Sequence, residues 1–291
     1  MAEQRPTQPR MRDAAQERVL QTARSARERG REIKCAALDM PWARCAPARF
    51  ARETILSGFF GPVMAWYVRR RIEGREVFDG LKPPVIFVAN HSSHMDTPTI
   101  LRALPRQWRQ RTAVAAAADY FYRKRWVAAA VSLLFAAVPI SRRGGGMDKG
   151  SADHLHRLLD KRWNLLLYPE GTRSRDGSRG KLHSGAAVLA AAHGVPILPI
   201  FVAGTREAMP PGRSWPRRLR AGRPFRRQPI CVRFGPPISA LPGEHRNETM
   251  ARVQAWFDAQ TGLVTSGAPV PPSSPAPAAA EERPMTPDGT R

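Results

Sequence analysis

Val85-Ile86-Phe87-Val88-Ala89-Asn90-His91-Ser92-Ser93-His94-Met95-Asp96-Thr97-Pro98 decides the architecture of this chain. Its first five residues are apolar and β-rich, which predicts a buried strand. Asp96 or Thr97 suits a helix N-cap, with Pro98 just inside the first turn. The stretch therefore reads strand, polar turn, helix. In open α/β sheets the carboxyl ends of strands are where ligands are bound. A second run repeats the pattern: Leu165-Leu166-Leu167 is followed by Tyr168-Pro169-Glu170-Gly171-Thr172-Arg173-Ser174. Two polar clusters at two strand ends predict one site.

Working outward, further strands are expected at Ala137–Ile140, Ile197–Val202 and Ile230–Phe234, with the two above at Val85–Ala89 and Asn164–Tyr168. Helices are expected at Ile55–Arg71, Pro98–Leu104, Tyr120–Leu134, Asp148–Asp160, Ala186–His193 and Arg246–Gln260, with Gly194 as a C′ residue. Short apolar strands alternating with helices predict an α/β fold, a mostly parallel central sheet flanked by helices. We place one folded domain at residues 46–262. Residues 1–45 read as a basic, helical N-terminal extension with a thin apolar stripe (Val19, Leu20, Ala23, Ala26). Residues 263–291 are dominated by Pro, Ala and Ser and read as a disordered tail.

The formal net charge of +23 over 291 residues calls for an anionic partner. No helix-turn-helix, zinc or RNP signature accompanies it, which argues against nucleic acid. Between residues 206 and 233 nine arginines stand against Glu207 alone, interleaved with Trp215, Leu219 and Phe225. That mixture suits an anionic membrane surface, at about 1 kcal/mol per basic residue. Trp66 and Tyr67, followed by Arg69-Arg70-Arg71, give the Ile55–Arg71 segment an interfacial character as well. No apolar run reaches the ~20 residues of a spanning helix, and the N-terminus has no apolar signal core. Cys35, Cys45 and Cys231 show neither metal spacing nor a disulfide framework. The expected location is peripheral, on the cytoplasmic side of a membrane.

His91 and Asp96 carry the chemistry. Inside a regular helix, five residues separate side chains by about 140°. The two meet only if His91 lies in the turn and Asp96 in the first helical turn. A carboxylate holding one ring nitrogen leaves the other to take a proton from a hydroxyl. No serine stands in a nucleophile elbow, so the hydroxyl belongs to a substrate. His91, His94 and Asp96 do not have metal-ligand spacing. Arg142 and Arg173, each just after an apolar strand, are the expected anion ligands, because guanidinium suits phosphate.

Four blocks in order resemble the PlsC-type glycerolipid acyltransferase family: Asn90-His91-Ser92-Ser93-His94-Met95-Asp96, Val138-Pro139-Ile140-Ser141-Arg142, Tyr168-Pro169-Glu170-Gly171-Thr172-Arg173-Ser174 and Val195-Pro196-Ile197-Leu198-Pro199-Ile200. The resemblance covers roughly residues 80–240. It implies a glycerol-3-phosphate acyltransferase-like fold, with His91 as general base and Asp96 as its partner. It implies that Arg142, Glu170, Gly171, Thr172 and Arg173 bind the substrate's glycerol phosphate. The donor would be a thioester, acyl-CoA or acyl-ACP (acyl carrier protein), and the acceptor a lysophospholipid, with lysophosphatidic acid becoming phosphatidic acid. No metal or organic cofactor is implied. Leu182-His183-Ser184-Gly185 stands where the family often has Phe-Lys-x-Gly, and Ala136 where the second block often opens with Gly. Two other readings are a non-catalytic lipid- or membrane-binding protein of the same fold, and an acyltransferase for a different alcohol or amine acceptor.

Overall fold

The computed structural model describes residues 38–118, 124–143, 146–147, 149–173, 180–210, 212–213, 215–217 and 227–266. Its centre is a seven-stranded sheet. In chain order the strands are β1 (Val68–Glu73), β2 (Ile86–Ala89), β3 (Thr112–Ala117), β4 (Val138–Ile140), β5 (Arg142–Arg143), β6 (Gly146–Met147), β7 (Asn164–Leu167), β8 (Ile197–Ala203) and β9 (Gln228–Phe234). The sheet order is β1-β9-β8-β2-β7-β3-β4, while β5 and β6 form a separate antiparallel pair. Every neighbour pair in the large sheet is parallel except β8 with β9. The sheet is thus mostly parallel, as expected from the alternating strand and helix signals.

Helices cover both faces: α1 (Ala46–Thr54), α2 (Gly61–Tyr67), α3 (Asp96–Ala103), α4 (Arg125–Phe135), α5 (Lys149–Asp160), α6 (Gly185–His193) and α7 (Arg246–Ser266). Successive side chains of β2 point to opposite faces, so this central strand feeds two cores. Phe87 and Ala89 join Ile100, Leu101 and Leu104 of the α3 region, with Phe78 and Trp108. Ile86 and Val88 join Leu155, Leu158 and Leu159 of α5, Leu189 of α6, and Val253 and Phe257 of α7. Burying both faces explains why β2 and β7 read as unbroken apolar runs. Gly194 takes the left-handed C′ position after α6 (φ 59°). Ala136 takes the same position after α4 (φ 48°) although it carries a Cβ.

One expectation is corrected, and one strand had not been expected. The segment Ile55–Arg71 is not one helix: a π-helical turn (Ile55–Phe60) links α1 to α2, and the chain then becomes β1. Val68, Arg70 and Ile72 alternate with the exposed Arg69 and Arg71, a strand period that pairing with β9 enforces. Thr112–Ala117 carries no strand signal because alanine favours helix. It is nonetheless a fully buried strand, held between β7 and β4. Most of the expected N-terminal extension (1–37) and of the Pro/Ala tail (267–291) lies outside the described residues, as do Ser174, Leu219 and Phe225.

Candidate active site

The turn between β2 and α3 is built around one carboxylate. Asp96 is the first residue of α3 and is fully buried. Its Oδ2 accepts hydrogen bonds from the backbone N–H of Ser92 (2.7 Å) and Ser93 (2.8 Å) and lies 2.9 Å from His91 Nδ1. Its Oδ1 accepts from the Thr205 hydroxyl at 2.5 Å. The turn thus wraps around Asp96, and the short Ser92 and Ser93 spacing is what lets both amides converge. Asn90 anchors the other end: its side-chain amide donates to Val202 O and accepts from Val202 N–H, both at 2.8 Å. That side chain continues the pairing of β2 with β8 past the strand's last residue.

Such a carboxylate accepts Nδ1–H and holds the imidazole in the tautomer whose Nε2 lone pair is free to accept a proton. The loop after β7 sets the ring's position. Tyr168 stacks on His91 with centroids 4.1 Å apart and planes at 24°, and its hydroxyl shares a 2.7 Å hydrogen bond with Thr97 Oγ1. Burial, and next the charge of Asp96, push the Tyr168 phenol well above its ordinary range, so it remains a neutral partner. Glu170 is buried; it accepts from His91 N–H (3.1 Å) and Gly180 N–H (3.2 Å). Its carboxylate therefore joins the two site loops through their backbones. Gly171 follows in the left-handed region (φ 72°), a conformation that glycine adopts at no steric cost.

A cleft of about 660 Å³ opens at this turn. His91, His94, Thr97, Tyr168 and Arg173 line its polar end. Apart from Arg213 its remainder is apolar, with Phe60, Val63 and Met64 from the α1–α2 region, Val131 and Leu134 from α4, and a floor of Ala115, Ala116 and Ala117. The missed strand β3 makes that floor. Burial, then the charges of Arg173 and His91, lower the His94 imidazole to about 4. Of the expected anion ligands, Arg173 shares the cleft with His91. Glu170, Gly171 and Thr172 instead line a second cavity of about 550 Å³, with Tyr168 and Ala115 in the wall common to both. Arg142 is placed by its backbone in β5, paired with Met147.

Sequence reasoning missed Thr205 and the stacking role of Tyr168. Thr205 is 109 residues from Asp96, and no spacing rule reaches that far. Among the basic residues expected to face a membrane, Arg233 is instead buried, bonding Glu73 at 2.6 Å and Gln260 at 2.5 Å. Arg213 and Trp215 line the cleft. Among the described residues no group of three or more His, Cys, Asp or Glu side chains is arranged to hold a metal ion, and no helix is long and apolar enough to cross a membrane.

A family model described as Acyltransferase matches residues 69–203. A chloroplast 1-acyl-sn-glycerol-3-phosphate acyltransferase of Arabidopsis thaliana is 30% identical over 148 residues, covering 50% of this chain and 39% of that protein. Its Brassica napus counterpart is 29% identical, covering 50% and 40%. A lyso-ornithine lipid O-acyltransferase of Pseudomonas aeruginosa is 28% identical over 129 residues, covering 44% and 46%. The chain thus spans less than half the length of these relatives. The crystal structure of a 1-acyl-sn-glycerophosphate acyltransferase from Thermotoga maritima superposes with a TM-score of 0.50 at 22% identity, covering 72% of this chain and 81% of that one, a likeness of fold.

Proposed function

Because this chain belongs to the PlsC-type glycerolipid acyltransferase family, we propose that it moves a fatty acyl group from a thioester, acyl-CoA or acyl-ACP, to the free hydroxyl of lysophosphatidic acid. The observation that carries this reading is the His91–Asp96 pair at the polar end of an apolar cleft, with Arg173 beside it. His91 Nε2 takes the proton of the acceptor hydroxyl. The oxygen attacks the thioester carbonyl, forming the new C–O bond and a tetrahedral intermediate. The C–S bond then breaks, and the departing thiolate takes the proton back from His91. Asp96 keeps the imidazole oriented and stabilises the transient imidazolium. Arg173, with Arg142, holds the acceptor's phosphate so that its hydroxyl meets His91, a positioning effect that lowers the barrier. Glu170 and Gly171 shape the loop that carries Arg173 and Thr172 to the substrate. No metal or organic cofactor enters these steps.

The protein works at a membrane surface. Phe59 and Trp215 both line the cleft, yet they are 55% and 52% exposed. Trp66 and Trp126 are exposed as well, on the two helices that wall the apolar end. An apolar cleft with an aromatic rim suits a substrate whose chains lie in the bilayer.

The test is thiol release from acyl-CoA and from acyl-ACP in the presence of lysophosphatidic acid, with mass spectrometry of the lipid product. Activity should vanish in a folded His91→Ala variant; full activity there overturns the reading. The lyso-ornithine lipid relative makes that acceptor the necessary comparison. Stronger turnover with lyso-ornithine lipid than with lysophosphatidic acid would reassign the acceptor. Liposome binding without any thiol release would leave a lipid-binding protein of the same fold.

A further inference from the structure

A second imidazole stands in the reaction cleft, and the steps above do not use it. His94 lies three residues after His91 in the same turn, and both line the 660 Å³ cleft together with Arg173. The two rings have different surroundings. His91 is held at Nδ1 by Asp96, whose oxygens also serve Ser92, Ser93 and Thr205. His94 is half-buried and lies close enough to Arg173 for that charge to act on it.

We propose that His94 is the neutral hydrogen-bond donor that receives the thioester carbonyl oxygen as it becomes an oxyanion. The inference rests on the acyl-transfer reading and supplies the group that reading leaves open. Negative charge develops on that oxygen during attack, and donors fixed in advance stabilise it most. Burial and the Arg173 charge keep the His94 ring uncharged down to about pH 4, so at working pH it presents one N–H. Neutrality matters for its neighbour: a cation at His94 would lower the basicity of His91, whereas a neutral ring donates without that penalty. Two imidazoles in one cleft are thereby divided into base and donor by environment, as paired titratable groups are elsewhere. His94 keeps its proton throughout, so the bonds made and broken are those already described. Arg173 remains engaged with the acceptor phosphate.

The test compares purified wild type, His94→Ala and His94→Gln, with kcat and the KM of each substrate measured separately and thermal melting alongside. Loss of one oxyanion donor predicts a fall in kcat of about 10²-fold in His94→Ala, with both KM values within about threefold. The side-chain amide in His94→Gln should recover about tenfold of that loss. Three results overturn the proposal: kcat in His94→Ala within about threefold of wild type, no recovery in His94→Gln, or a loss expressed in the acceptor's KM, which would make His94 a headgroup ligand. Should His94→Ala fail to fold, His94→Asn, which keeps a donor, against His94→Phe, which has none, decides by the same kcat criterion. Wild type without acyl transfer would remove the parent reading and this inference with it. Active wild type with an equally active His94→Ala removes the inference alone.

Discussion

The Thr205 hydroxyl donates to Asp96 Oδ1 at 2.5 Å across 109 residues of chain. Both residues are fully buried. Thr205 opens the helical turn after β8, and the same hydroxyl lies 3.1 Å from Ser92 Oγ. The contact fastens the turn between β2 and α3 to the segment that follows the neighbouring strand β8. Thr205→Val keeps the shape and leaves a buried carboxylate oxygen without its donor, which costs about 1–3 kcal/mol. Urea denaturation should show that loss, and Thr205→Ser should restore most of it. An unchanged midpoint in Thr205→Val would show that the hydroxyl contributes nothing.

Asp96→Asn presents an NH₂ or a weaker acceptor to two backbone amides and to His91 Nδ1. The imidazole then loses the partner that fixes its tautomer. We expect kcat to fall on the order of 10³–10⁴-fold with acceptor KM little changed. Steady-state kinetics on folded protein, checked by circular dichroism, test this; a loss below about tenfold would argue against a tautomer-fixing role.

Ala116 lies in the floor of the apolar cleft. Ala116→Leu fills space that a long acyl chain would use. Preference should shift toward shorter donors, with kcat/KM for the longest falling about tenfold relative to the shortest. A series of saturated acyl thioesters measures the ratio. A uniform decrease at every length would indicate overpacking of the sheet instead.

His94 makes stability acid-sensitive. Its pKa is lowered from 6.5 to about 4 in the folded state, by burial first and then by Arg173 and His91. Below pH 6.5 the unfolded chain takes up a proton that the folded chain refuses until about pH 4. Stability from this group is therefore full above 6.5, declines as pH falls through that window, and changes no further below it. Urea midpoints at pH 7 and pH 4.5 should differ less for His94→Gln than for wild type. Equal differences would mean that His94 is not the source.

Arg52 of α1 is buried, and its guanidinium donates to Leu133 O (2.6 Å), Ser132 O (3.3 Å) and Ala43 O (2.5 Å). It caps carbonyls in the last turn of α4 and so ties α1 to α4. Burial, then Arg44 and Arg49, lower its pKa to about 10, which leaves it charged at neutral pH. Arg52→Met keeps the aliphatic volume and should destabilise by about 2–3 kcal/mol in urea. Arg52→Lys should recover only part, because one ammonium cannot follow a planar fork. Full stability in Arg52→Met would show the clamp to be idle.

Much of this was legible in the chain. Runs such as Ile86-Phe87-Val88 and Leu165-Leu166-Leu167 had to be strands buried on both faces, and the polar residues after them had to meet at one sheet edge. His91 and Asp96 are close enough in sequence for one turn to define their geometry. Thr112–Ala117 and the end of α2 were not legible, because alanine carries no strand preference and Arg69-Arg70-Arg71 shows its period only beside β9.

Apolar periodicity and turn chemistry act over a few residues, so the amino-acid sequence by itself determined the strands of the sheet centre, the turn at Asn90 and the imidazole–carboxylate spacing. Tertiary structure alone decided what surrounds that pair: Thr205 beneath Asp96, Tyr168 against His91, Val202 bonded to Asn90, and an alanine floor beside the cleft. Each of these joins segments tens of residues apart. Their meeting depends on how the buried faces of separate elements pack, and no local pattern encodes that.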